Sequence, residues 1–162
     1  MNNVLIFWFQ LLVSLIVYSA AISWYAWPYL TKLRRNAALV PLLWVHVPRY
    51  IGMTLLNPFM FDQALPRDYV LGAAYGDLVE AALAFVSIYA LRRAWRFAIP
   101  LVWITNLWGL LDTLNGLKSV IGSNVPAYNL GTIWYIYTFY APLVVISHAL
   151  IFWVLLNRSW KR

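Results

Sequence analysis

Six ionisable residues sit inside stretches that are otherwise apolar: His46 and Arg49, Asp77 and Glu80, Asp112, and His148. Groups held out of water beside charged partners have the displaced proton affinities that acid–base and proton-relay sites use. Glu80 or Asp77 would serve as general acid or base, with His46 assisting and Arg49 setting their proton affinities. Arg49 keeps its proton and needs an anion. Asp77 and Glu80, on the next apolar segment, are its expected partners. Two acids against one arginine leave one over, so Glu80 is expected to be protonated or to pair with His46 or His148.

The two histidines admit two further chemistries. One is axial ligation of a b-type haem between the segments that carry His46 and His148. The other is a metal held by the pair together with Glu80. Each histidine alone also fits a core residue bonded to a backbone carbonyl. Asn106, Trp108, Asp112, Tyr137 and His148 join Arg49 as candidate ligand-binding or charge-pairing residues. Asn106, Asp112 and Asn115 equally suit hydrogen bonds between helices, worth about 1 kcal/mol or less each. Gly109 and Gly116 suggest close packing beside them.

These residues must be positioned by membrane-type elements. Of 162 residues 64% are apolar and only 10% charged, and the mean hydropathy is +0.70. Soluble domains carry about 25% charged residues. A transmembrane helix needs about 20 mostly apolar residues. Five segments qualify, at 4–31, 37–58, 69–91, 97–117 and 131–156, separated by polar or proline-bearing breaks. No repeat or long linker divides the chain, so residues 1–162 read as a single transmembrane helical domain. With no cysteine, disulfides, thiolate catalysis and thiolate-bound metals are excluded.

The net charge of +7 is a matter of topology. With five alternating spans, Lys32, Arg34, Arg35, Arg92, Arg93, Arg96, Arg158, Lys161 and Arg162 fall on one side; Arg67 and Lys118 fall on the other. Such sorting follows the positive-inside rule and puts the N-terminus out and the C-terminus in. A multi-pass protein of the bacterial inner (plasma) membrane is expected, with the lipid bilayer as its surroundings and no nucleic acid as partner. MNNVLIFW lacks the basic start of a cleaved signal peptide.

Counting about 1.5 Å per residue from the basic end of each span puts His46 and His148 at about 13 Å, Asn106 at about 14 Å and Glu80 at about 16 Å. Arg49 and Asp77 follow at about 18 and 21 Å, with Asp112 and Asn115 nearer the outer face. His46 and Arg49, Asp77 and Glu80, and Asp112 and Asn115 are each three residues apart, so each pair shares a helix face. Those faces should turn inward, because a charged residue turned toward lipid costs about 2.5–3.5 kcal/mol. Pro48 removes a backbone donor and frees a carbonyl near Trp44. Pro142 is expected to kink the last span beside Tyr137, Tyr140 and His148.

The pattern His46-x-x-Arg49-x-x-Gly52, Gly-Asp at 76–77, NLWGLLD at 106–112 and NLGTIWYIYT…PLVVISH at 129–148 resembles an uncharacterised family of small five-span bacterial membrane proteins, over most of residues 40–150. In site composition His46, Asp77, Glu80, Asn106 and Trp108 are similar to the emopamil-binding and sigma-2-type sterol isomerase family. That likeness implies a lipophilic ligand held by acids, histidine, asparagine and tryptophan at mid-membrane.

The sequence therefore reads as an all-α integral membrane protein, a five-transmembrane-helix bundle. Its polar centre is expected to bind a small lipophilic ligand, and whether it converts that ligand stays open. The alternatives are a haem or metal protein using His46 and His148, and a non-catalytic accessory or assembly subunit of a membrane complex. Homo-oligomerisation is also open, and no cofactor is the first expectation.

Overall fold

A computed structural model of the chain describes residues 2–157 and Trp160. Arg158, Lys161 and Arg162, which enter the charge asymmetry above, lie outside the described residues. Among the described residues the structure is helical, with five long segments: α1 (Asn3–Leu30), α2 (Arg35–Leu56), α3 (Arg67–Arg92), α4 (Ala98–Gly122) and α5 (Ile133–Leu156). α1, α2, α3 and α5 are long and apolar enough to cross a membrane. α4 is 25 residues long, but Asn106, Asp112, Asn115 and Lys118 dilute its apolar character and it is not among the four.

Proline sets the irregularities. Pro48 offers no N–H and its ring crowds the carbonyl four residues back, so α2 does not continue as an α-helix. It runs as α-helix over Arg35–Trp44 and as a ten-residue 3-10 helix over Val47–Leu56. The Arg49 amide bonds to the His46 carbonyl at 3.2 Å. The Val45 carbonyl, which that amide would take in an α-helix, instead accepts the Tyr140 hydroxyl at 2.5 Å. The freed carbonyl captured by a side chain is thus that of Val45, not Trp44. Pro28 and Pro142 act differently: each follows a π-helical turn, Ile22–Ala26 and Ile136–Tyr140, that widens the helix just ahead of the ring.

α3 is the central element, packed against both halves of α2 and against α4. α5 packs on α4, on the first half of α2 and on α1. Only 6% of the apolar window of α1 is buried, against 39% for α2, α3 and α5, so α1 is the outlying helix. The core is layered. One apolar cluster, with Leu39, Leu43, Ile88, Val102 and Ile151, lies at the end where Leu30, Leu91, Ala98 and Trp160 meet. The second, with Phe7, Leu55, Val70, Val120 and Ile133, lies at the other end. The loops carrying Lys32, Arg34, Arg93 and Arg96 belong to the first end. Between the two clusters lie the buried polar residues His46, Arg49, Glu80, Asn106, Ser147 and His148.

Candidate functional site

The polar layer divides into two adjoining groups. Arg49, on the 3-10 half of α2, is 6% exposed and has all three guanidinium nitrogens engaged. Nε donates to Asp77 Oδ1 at 2.6 Å, and a terminal nitrogen donates to Asp112 Oδ2 at 2.5 Å. The other terminal nitrogen reaches Thr113 Oγ1 at 3.3 Å and the Gly109 carbonyl at 3.4 Å. The expected second partner of Arg49 was Glu80; the structure puts Asp112 there instead. A 3-10 helix makes about three residues per turn rather than 3.6, so Arg49, third in that helix, leaves α2 at a different angle from the one α-helical counting gives.

Glu80 lies one turn deeper on α3 and belongs to the second group. Its Oε1 is 3.3 Å from His46 Nδ1, and the rings of His46 and His148 lie with centroids 4.3 Å apart, tilted by 55°. All three side chains are 0% exposed. His46 Nε2 is 3.1 Å from Ser147 Oγ, and the Ser147 hydroxyl donates to the Leu42 carbonyl at 2.9 Å. His148 Nδ1 is 2.8 Å from Asn106 Oδ1, while Asn106 Nδ2 donates to the His148 carbonyl at 3.3 Å. One ligand atom from each of His46, Glu80 and His148 lies within 4.8 Å of the other two, a geometry that could hold a metal ion. The touching imidazole rings leave no gap for a porphyrin, so a haem between them does not fit.

Glycines house the three acids. A Cβ at Gly52 would collide with Asp77, one at Gly76 with Asp112, and one at Gly109 with the Glu80 carboxyl. Each carboxyl therefore rests against bare backbone of a neighbouring helix, which brings α2, α3 and α4 close enough for Arg49 to span them. Gly116 differs from the close-packing expectation: apart from its chain neighbours and its own helix backbone, no described atom lies within 4 Å of where its Cβ would be, and the same is true of Gly72.

Both of those glycines line a cavity of about 300 Å³. Phe7, Trp8 and Leu11 of α1 form one side, and Ile136, Pro142 and Val144 of α5 another. Arg49, Asp77 and Asp112 close its deep end, with Tyr137 and Tyr140 beside them. The Tyr69 and Tyr137 hydroxyls are hydrogen-bonded to each other. Asn115 is exposed and also lines this space. Trp108 is 46% exposed and is not part of the lining. It sits about 100° around α4 from Gly109, whereas the buried face runs through Val102, Thr105, Asn106 and Gly109. Asp112, Asn115 and Ser119 run along the edge of that face and line the cavity.

Some participants were not foreseen. Ser147 and Thr113 bear on His46 and Arg49 but read in sequence as ordinary small polar residues of apolar helices. The spacing of Ser147 beside His148 was the one available signal. The roles of Gly52 and Gly76 as seats for carboxyls follow only from which helices face each other.

A model of a domain of unknown function (DUF8737) matches residues 6–156. The chain belongs to the DUF8737 family. The match spans all five helices and both halves of the polar layer, and it agrees with the resemblance to an uncharacterised family. No curated protein and no solved structure matches the chain.

Proposed function

We propose that this DUF8737 protein is a five-span membrane protein, N-terminus out and C-terminus in, that binds a small amphiphilic molecule between α1, α3, α4 and α5. The observation that carries this reading is the cavity of about 300 Å³ with apolar walls and a charged end. Two carboxylates meet one guanidinium there, so the ionised cluster is net negative. Four hydrogen bonds already engage Arg49, at least one on each nitrogen, so most of its donor capacity is taken. A ligand with an apolar body and a cationic or hydrogen-bond-donating head fits such a site better than a fatty acid does. The exposed sides of Asp77 and Asp112, at 19% and 18%, are the groups such a head would meet.

An acid–base role toward that ligand falls to Asp77, which lines the cavity, ahead of Glu80 and His46, which do not. Of the five residues that carry the likeness to emopamil-binding and sigma-2-type proteins, only Asp77 lines this cavity, so that likeness lends the reading little. The clustering of loop arginines and lysines supports the proposed orientation, and a bacterial inner membrane is the setting in which that rule is strongest.

The test is a thermal-shift screen of the detergent-purified protein against amphiphilic amines, neutral sterols and fatty acids. Stabilisation by amines, absent in Gly116→Leu, supports the site, because Gly116 lines the cavity and a Cβ there starts into open space. Stabilisation that persists unchanged in Gly116→Leu, or none from any class, overturns it.

A further inference from the structure

Five buried side-chain polar atoms lack a hydrogen-bond partner among the described residues, and four of them belong to one cluster: His46 Nδ1, Glu80 Oε1 and Oε2, and His148 Nε2. Buried polar groups without partners are costly and uncommon in native proteins. Here their surroundings determine what each presents. The Leu42 carbonyl can only accept, so the Ser147 hydroxyl donates to it and accepts from His46 Nε2–H. His46 Nδ1 is then left with a lone pair. The His148 carbonyl likewise fixes the Asn106 amide, whose Nδ2 faces it; Asn106 Oδ1 must accept from His148 Nδ1–H. His148 Nε2 is then left with a lone pair.

Two imidazole lone pairs and a carboxylate converge from α2, α5 and α3. His46 Nδ1 and Glu80 Oε1 approach to 3.3 Å without the alignment of a hydrogen bond, as two ligands of a common ion do. We propose that His46, Glu80 and His148 bind one divalent first-row transition-metal ion.

Each feature has a physical counterpart in known metal chemistry. Metal-bound histidines donate their second N–H to a fixed acceptor, which sets tautomer and ring orientation; Ser147 and Asn106 are those acceptors. Ligand atoms each about 2.1 Å from a tetrahedral ion lie about 3.4 Å apart, so spacings of up to 4.8 Å here would close by as much as about 1.4 Å on binding. Imidazole and carboxylate suit Zn²⁺, Fe²⁺, Co²⁺ or Mn²⁺ rather than Cu⁺. With Asp77, Glu80 and Asp112 ionised against Arg49, the layer carries two net negative charges, which a divalent ion neutralises. Gly109 couples the two halves, since its carbonyl accepts from Arg49 and its Cα backs the Glu80 carboxyl. The metal site does not rest on the ligand cavity, whose lining includes none of the three ligands.

The experiment uses the full chain, purified through a tag without histidine and stripped with chelator, then titrated with Co²⁺ and with Zn²⁺. One equivalent of Co²⁺ with visible ligand-field bands, displaced by Zn²⁺, is expected. Glu80→Gln and His148→Ala should abolish it, and Asn106→Leu should weaken binding about 10–100-fold. Gly116→Leu should leave it intact, which separates this site from the cavity. A wild-type protein that takes up no saturable equivalent, or ligand variants that bind as wild type does, overturns the proposal. If the variants do not fold, electron paramagnetic resonance of the Cu²⁺-loaded wild type still decides. The chain has two histidines, so coupling to two imidazole nitrogens identifies them, and coupling to one or none refutes the site.

Discussion

The two halves of the polar layer handle burial in opposite ways. The Arg49 half borders a cavity, and its acids keep 18–19% of their side-chain surface, yet every nitrogen of its guanidinium has an oxygen partner. The His46 half is sealed at 0% exposure, yet it leaves four polar atoms without partners. Desolvation alone would favour the reverse, because an unpaired polar group costs most where water is absent. A guanidinium is a fixed permanent charge and demands its anions at the time of folding. Imidazole and carboxylate are the side chains that gain a partner by taking up a cation. One half is thus complete as a protein structure, and the other has the open valences that the proposed metal ion would fill.

The sharpest way to break that comparison is to remove the ion pair. Arg49→Met strands two carboxylates and should cost about 3–5 kcal/mol, the usual penalty for breaking a buried pair. Folded, monodisperse protein should be largely lost on size-exclusion chromatography. Adding Asp77→Asn and Asp112→Asn to Arg49→Met should restore much of it, and failure of that rescue would mean Arg49 matters for more than charge. Next in size is Gly109→Ala, whose methyl meets the Glu80 carboxyl and should cost about 1–3 kcal/mol by overpacking. Equal stability of Gly109→Ala and wild type in denaturant melts would show that Glu80 can move aside. The smallest effect belongs to Tyr140→Phe. It removes the hydroxyl that caps the Val45 carbonyl and should cost about 1 kcal/mol, with the ion pair and the proposed metal ligands untouched.

Much of the layer was legible as depth. His46, Glu80, Asn106 and His148 fell at one level by counting residues along apolar segments, and the structure brings those four together. Arg49's partner was not legible. Pro48 turns α2 into a 3-10 helix just before it, which changes the angle at which Arg49 leaves the helix, and its direction depends on how α4 faces α2. Trp108 illustrates the same limit in rotation: one residue's difference around α4 takes it from the inner face to the surface. Gly109 was recognised as a point of close packing, but Gly116 opens a cavity wall, although both are small residues on one helix.

What the sequence determined by itself is one-dimensional: five apolar segments long enough to be helices, polar groups near their middles, basic residues at alternate ends. These follow from summed transfer free energies and a nearly constant rise per residue, which neighbours hardly alter. Only the tertiary structure decided which acid meets Arg49, which glycine seats each carboxyl, and which ring nitrogens are left facing one another. Those choices depend on the angle of each helix about its own axis and on which helices adjoin. Both are set by packing across the whole bundle, with α3 at its centre and the 3-10 half of α2 against it.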